Sequence, residues 1–94
     1  MGSAAVTVQI APANATVTAP ALQFQPTAVD LGAGGTVTWT FGAVQHDVTF
    51  TSAGAPQNIP LLQNDSASRE FPDNGTFQYR CSIHPGMNGT VRVH

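Results

Sequence analysis

Three side chains able to bind a soft or borderline metal fall within seven consecutive positions, Cys81, His84 and Met87, and a fourth, His46, stands far upstream. Together they make a His2Cys set with a thioether. Thiolate and thioether favour Cu(I), imidazole suits both copper oxidation states, and a trigonal His2Cys site with a weak axial Met lets one ion change charge with little rearrangement. Small rearrangement is what fast one-electron transfer requires. Taken singly, each residue has an ordinary reading: Cys81 as a small buried hydrophobe, Met87 as core filler, and a strand histidine as a satisfied core or surface residue. Their joint spacing in one chain is what points to a site. Cysteine with two histidines also suits Zn2+, and Cys81 with His46 or His84 has the makings of a nucleophile and base. No oxyanion-forming glycine loop accompanies them, and no orienting acid other than Asp47, so an enzyme that hydrolyses its substrate is set aside.

Such a site needs rigid elements to hold it, and the alternation of apolar residues supplies them. In His46-Asp47-Val48-Thr49-Phe50, side chains two apart share a strand face, so His46 points inward with Val48 and Phe50. In Thr76-Phe77-Gln78-Tyr79-Arg80-Cys81 the inward set is Phe77, Tyr79 and Cys81, which puts the thiol at a strand end. The tight loop from Ser82 to Gly89 then carries His84 and Met87 into a last strand, Thr90 to Val93.

Elsewhere, Ala5 to Ile10 alternates as a strand, and Pro12, Asn14 and Pro20 then break the chain. Leu22 to Pro26 reads as an edge strand or one with a bulge, continued by Ala28 to Leu31. Gly32 to Gly35 is a turn, and Thr36 to Phe41 is the clearest strand, with Trp39 and Phe41 assigned to the core. Residues 52–65 read as a long loop with one helical turn at Leu61 and Leu62. Ser66 to Phe71 is a further strand, followed by a turn at Pro72 to Gly75. Seven or eight short strands with no helix-period segment predict an all-β, two-sheet sandwich.

Composition narrows the function classes. Eleven Thr and nine Val favour strand, and nine Gly and seven Pro supply turns. Charged residues make up 9% of the 94, lysine is absent, and the net charge is −2, which argues against a nucleic-acid partner. No apolar run approaches the length needed to span a bilayer. The single cysteine excludes an internal disulfide. Met1-Gly2-Ser3 reads as an expression scar, leaving residues 4–94 as one domain, and the missing export signal is no proof of a cytoplasmic home. Of the four Asn-x-Ser/Thr sequences, at Asn14, Asn64, Asn74 and Asn88, two are Asn-Gly and read as turn chemistry.

Over residues 22–93 the sequence resembles a cupredoxin of the plastocyanin and amicyanin type. The resemblance lies in Phe24-Gln25-Pro26, Gly35-Thr36-Val37-Thr38-Trp39, His46-Asp47-Val48-Thr49-Phe50 and the run from Gly75 to Val91. Its most specific part is Tyr79-x-Cys81-x-x-His84-x-x-Met87-x-Gly89, where the two residues between His84 and Met87 match the short amicyanin-like loop. The resemblance implies a Greek-key β-sandwich of seven to eight strands holding one type 1 copper. His46 and His84 would be the imidazole ligands, Cys81 the thiolate and Met87 the axial thioether. It implies one-electron Cu(II)/Cu(I) shuttling by a monomer in the periplasm or another exported compartment. Redox protein partners would dock on an apolar patch around His84, bordered by Pro85, Gly86 and Met87, and electrons would leave through the edge of His84. Relatives with a short loop also release that histidine from Cu(I) in acid. Phe50, Phe77 and Ile83 are assigned to keeping water off the metal. One departure stands out: relatives carry Asn after the first histidine, where it ties the ligand loops together, and here the residue is Asp47. A carboxylate close to the thiolate would favour Cu(II) and lower the potential. The alternative reading is a copper-handling module that stores, delivers or senses the metal without shuttling electrons.

Overall fold

The computed structural model describes residues 12–94. The strand expected at Ala5 to Ile10 lies outside the described residues. Eight strands follow one another: β1 (Asn14–Ala19), β2 (Ala28–Leu31), β3 (Gly35–Phe41), β4 (His46–Phe50), β5 (Ile59–Leu62), β6 (Ser66–Phe71), β7 (Gly75–Arg80) and β8 (Asn88–Val93). They form a three-stranded sheet in the order β1-β3-β6 and a five-stranded sheet in the order β2-β8-β7-β4-β5. The fold is an all-β sandwich, as the short alternating runs predict.

The core lies between the two sheets. From the smaller sheet come Val17, Ala19, Val37, Trp39, Phe41 and Phe71, all buried, and from the larger come Leu31, Val48, Ile59, Tyr79, Val91 and Val93. Trp39 is its centre, packed edge-on against Tyr79 at 5.3 Å and Phe50 at 6.0 Å between ring centroids. Such edge-to-face pairs add about 0.5–1.5 kcal/mol beyond the area they bury.

Three expectations are corrected. The stretch after Pro12, expected to break the chain, is β1, paired in parallel with β3 so that Ala19 lies beside Phe41 and Val17 beside Trp39. Leu22 to Pro26 forms no named strand; one isolated bridge, Thr18 to Gln25, holds it, and Phe24 is fully buried beneath. Within residues 52–65, Leu61 and Leu62 belong to strand β5, not to a helical turn, and β5 adds an edge to β4. Pro60 is tolerated there because an edge strand leaves some N–H groups unpaired.

Candidate metal centre

Two elements bring the site together, and their register explains how. Strands β4 and β7 are antiparallel neighbours, with Thr49 opposite Arg80 and Phe50 opposite Tyr79. Continued past the end of β7, that register sets Val48 opposite Cys81 and Asp47 opposite Ser82. His46 thus comes to the end of the sandwich where the β7–β8 loop turns over. The loop is closed by its own backbone: Cys81 N–H donates to the Met87 carbonyl at 2.9 Å, and Met87 N–H donates to the His84 carbonyl at 3.1 Å. Gly86 turns it at φ +83°, a backbone conformation that side chains with a Cβ rarely adopt.

Three of the four expected donors converge. Cys81 Sγ lies 3.8 Å from His46 Nδ1 and 3.3 Å from His84 Nδ1, and the three ligand atoms all fall within 4.8 Å of one another. Sulfur and nitrogen donors bonded to one ion at about 2.0–2.3 Å stand about 3.6–3.8 Å apart at tetrahedral to trigonal angles. The two observed separations bracket that span, so the residues fit a single metal ion. His46 is fully buried, Cys81 is buried and unpaired, and His84 is half-buried at the surface. Met87 is buried beneath the same loop.

The surroundings favour uncharged imidazole at His46. Burial lowers its pKa from the ordinary 6.5 and the neighbouring His84 lowers it further, while the Ala21 backbone and the Asp47 carboxylate act in the opposite direction. Its Nε2 is buried and makes no hydrogen bond of good geometry. A neutral imidazole is the form that coordinates a metal.

The apolar wall differs from expectation. The rings beside His46 are Phe41, at 5.8 Å between centroids, and Phe24, at 6.5 Å. Phe50 packs on Trp39, Phe71 and Tyr79 instead, Phe77 packs on Phe71, and Ile83 is 44% exposed. Phe24 and Phe41 were within reach of sequence reasoning through their inward alternation, but nothing in the pattern said which inward aromatic ends up at which end of the barrel-like core. Met87, expected at the rim of a surface patch, lies under the surface rather than on it.

Asp47 is the buried polar residue that alternation does not foresee. A strand residue between His46 and Val48 belongs on the outer face, yet all three are buried. The β4–β5 register shifts between His46 and Val48, and irregularities of this kind re-aim side chains. The Asp47 carboxylate turns to the ligand loop, where Oδ1 accepts from Ser82 N–H at 2.7 Å and Oδ2 accepts from the Ser82 hydroxyl.

Comparison with known proteins agrees with this geometry. Residues 11–94 match the family model described as copper binding proteins, plastocyanin/azurin family. The chain is 40% identical over 92 residues to amicyanin-alpha of Methylorubrum extorquens, covering 92% of this chain and 77% of that one. It is 35% identical over 86 residues to plastocyanin of Scenedesmus fuscus, covering 78% of this chain and 88% of that one. A solved purple cupredoxin from Nitrosopumilus maritimus superposes with a TM-score of 0.76 at 28% identity, covering 85% of this chain and 99% of that one. The chain belongs to the copper-binding proteins of the plastocyanin/azurin family.

Proposed function

We propose that this protein carries single electrons on one type 1 copper held by His46, Cys81, His84 and Met87. The observation that carries the reading is the convergence of Cys81 Sγ with two histidine Nδ1 atoms at one end of a rigid sandwich. When bound, copper supplies a Cu(II)/Cu(I) couple, and thiolate, imidazole and thioether together suit both states. The chain's own part is to hold the donors still and to exclude water. His46 is fixed on β4 with Phe24 and Phe41 beside its ring, and Cys81 is fixed by the hydrogen bond to Met87 that closes the loop. His84, half-buried, is the ligand that reaches the surface and is the point of exit for the electron.

The same end of the molecule carries exposed apolar residues. Ile83 precedes His84, Val44 lies two residues before His46, Leu22 follows Ala21, whose backbone meets His46, and Leu61 adjoins Leu62, the β5 partner of His46. We read this as the docking surface for redox protein partners, with Pro85 and Gly86 exposed at its edge. The protein works as a monomer in the periplasm or another exported compartment, and its role is transfer rather than catalysis. Among the described residues no helix is long and apolar enough to cross a membrane.

Reversible voltammetry with a fast electron self-exchange rate tests the carrier reading. Sluggish exchange combined with ready surrender of Cu(I) to a chelator would instead establish the copper-handling module. Zinc is distinguished in the same samples by metal analysis, since a Zn2+-loaded protein gives no redox wave.

A further inference from the structure

The outer face of the five-stranded sheet carries a hollow that the metal centre does not use. Its volume is about 390 Å³, and the side chains of Thr51, Gln78, Arg80, Asn88 and Thr90 line it. The register explains the grouping. Arg80 stands opposite Asn88 and Gln78 opposite Thr90, and Thr51 N–H donates to the Gln78 carbonyl at 2.9 Å, so two cross-strand pairs and the end of β4 meet at one place. Tyr79 and Gly89 lie between those pairs, but Tyr79 is buried in the core and Gly89 has no side chain, so they give the hollow a main-chain floor.

The groups around the hollow are one-sided in charge. One guanidinium, two carboxamides and two hydroxyls line it, and no lining residue is acidic. Among the described residues the one ion pair joins His94 to Asp30, so none of their carboxylates neutralises Arg80. Asp47, which the β4 register brings to this end of the sheet, is engaged by Ser82 instead. Of the other two arginines, Arg69 is spent on the carbonyls of Gln57, Ser68 and Asn58, and Arg92 lies beyond the hollow, beside Asp30.

We propose that this hollow is a binding site for a small organic carboxylate, held by Arg80 together with Gln78, Asn88 and Thr90. The planar fork of a guanidinium matches the two oxygens of a carboxylate, and carboxamide N–H and hydroxyl groups serve the remaining oxygens of such a molecule. Size favours an organic acid over a bare inorganic ion, because the volume falls within the range of about 300–1,000 Å³ typical of small-molecule sites. The hollow adjoins the metal loop without belonging to it: Arg80 precedes Cys81 and Asn88 follows Met87, and neither side chain is needed to hold a metal. Its occupancy is therefore independent of the copper assignment.

Titration of the metal-free full chain with succinate, followed by amide NMR, tests the site. Saturable shifts in the millimolar range, centred on Gln78, Arg80, Asn88 and Thr90, are expected. Arg80→Gln should weaken the binding about tenfold, the scale of losing one hydrogen bond to a charged group, while Arg92→Gln, the same loss of charge on the same face but outside the hollow, should leave it unchanged. Asn88→Asp keeps the shape and sets a carboxylate opposite Arg80, so it should abolish the binding, and it decides the matter if Arg80→Gln disturbs the fold. Shifts that fail to saturate, or that Arg92→Gln weakens as much as Arg80→Gln does, would trace to diffuse charge and overturn the site. Inorganic phosphate is titrated in parallel, and saturation by phosphate with none by succinate would overturn the assignment to a carboxylate.

Discussion

At the scale of single residues, contacts that leave no room carry the clearest consequences. A Cβ placed on Gly89 would stand 2.2 Å from Tyr79 Cζ and 2.3 Å from its hydroxyl oxygen, and Tyr79 is buried between Trp39 and Phe24 with nowhere to retreat. Gly89→Ala is therefore expected to destabilise the fold by about 1–3 kcal/mol, the usual cost of overfilling a packed core, measured as a lowered denaturant midpoint at constant slope. His46 gives a second expectation, for the apo-protein. Its native pKa lies below the ordinary 6.5, so below about pH 6.5 the unfolded chain binds the proton that the native chain resists. Apo-stability contributed by neutral His46 is present above that pH and falls with acid, by up to about 1.4 kcal/mol per pH unit. A His46→Gln variant with the same acid slope would contradict this assignment. The three converging donors, His46, Cys81 and His84, were legible because their types and spacing were read together, whereas Asp47 was legible only as a suspicious neighbour. Its burial depends on a register shift between β4 and β5, and that irregularity has no signature in the alternation of His46 and Val48.

Elements were legible where one strand face is made of large apolar residues. β3, β4 and β7 fall within a residue of the positions their alternation predicts. β1 was missed because its inward set is Ala15, Val17 and Ala19, too small to stand out, and they are small because they lie beside Val37, Trp39 and Phe41 across the parallel pair. β5 was missed for the opposite reason: Ile59-Pro60-Leu61-Leu62 has no alternation, and its pairing to β4 is what makes it a strand. The loop joining β7 to β8 is the element on which the chemistry depends. Its short span and its backbone closure between Cys81 and Met87 hold His84 at the surface.

For the whole molecule, the low charge density sets how partners are met. With a net charge of −2 and only 9% charged residues, long-range steering is weak, and under the proposed function recognition would fall to the exposed apolar residues near the site. Electron transfer to a partner is expected to change little in rate between low and physiological salt, and Ile83→Glu is expected to slow it by about tenfold, the effect of a loss of ~1.4 kcal/mol at an apolar contact. Stopped-flow mixing at several ionic strengths measures both. A steep salt dependence would place recognition on charged residues instead.

The central claim is that Cys81, His46 and His84 close on one copper ion. Adding one equivalent of Cu(II) to the apo-protein and recording the visible spectrum, with Cys81→Ser alongside, tests it most directly. An intense thiolate-to-copper charge-transfer band that turns the parent protein blue, and that the Cys81→Ser variant lacks, is the predicted result. A parent protein that stays colourless, or a band that survives the loss of Cys81, would contradict the claim.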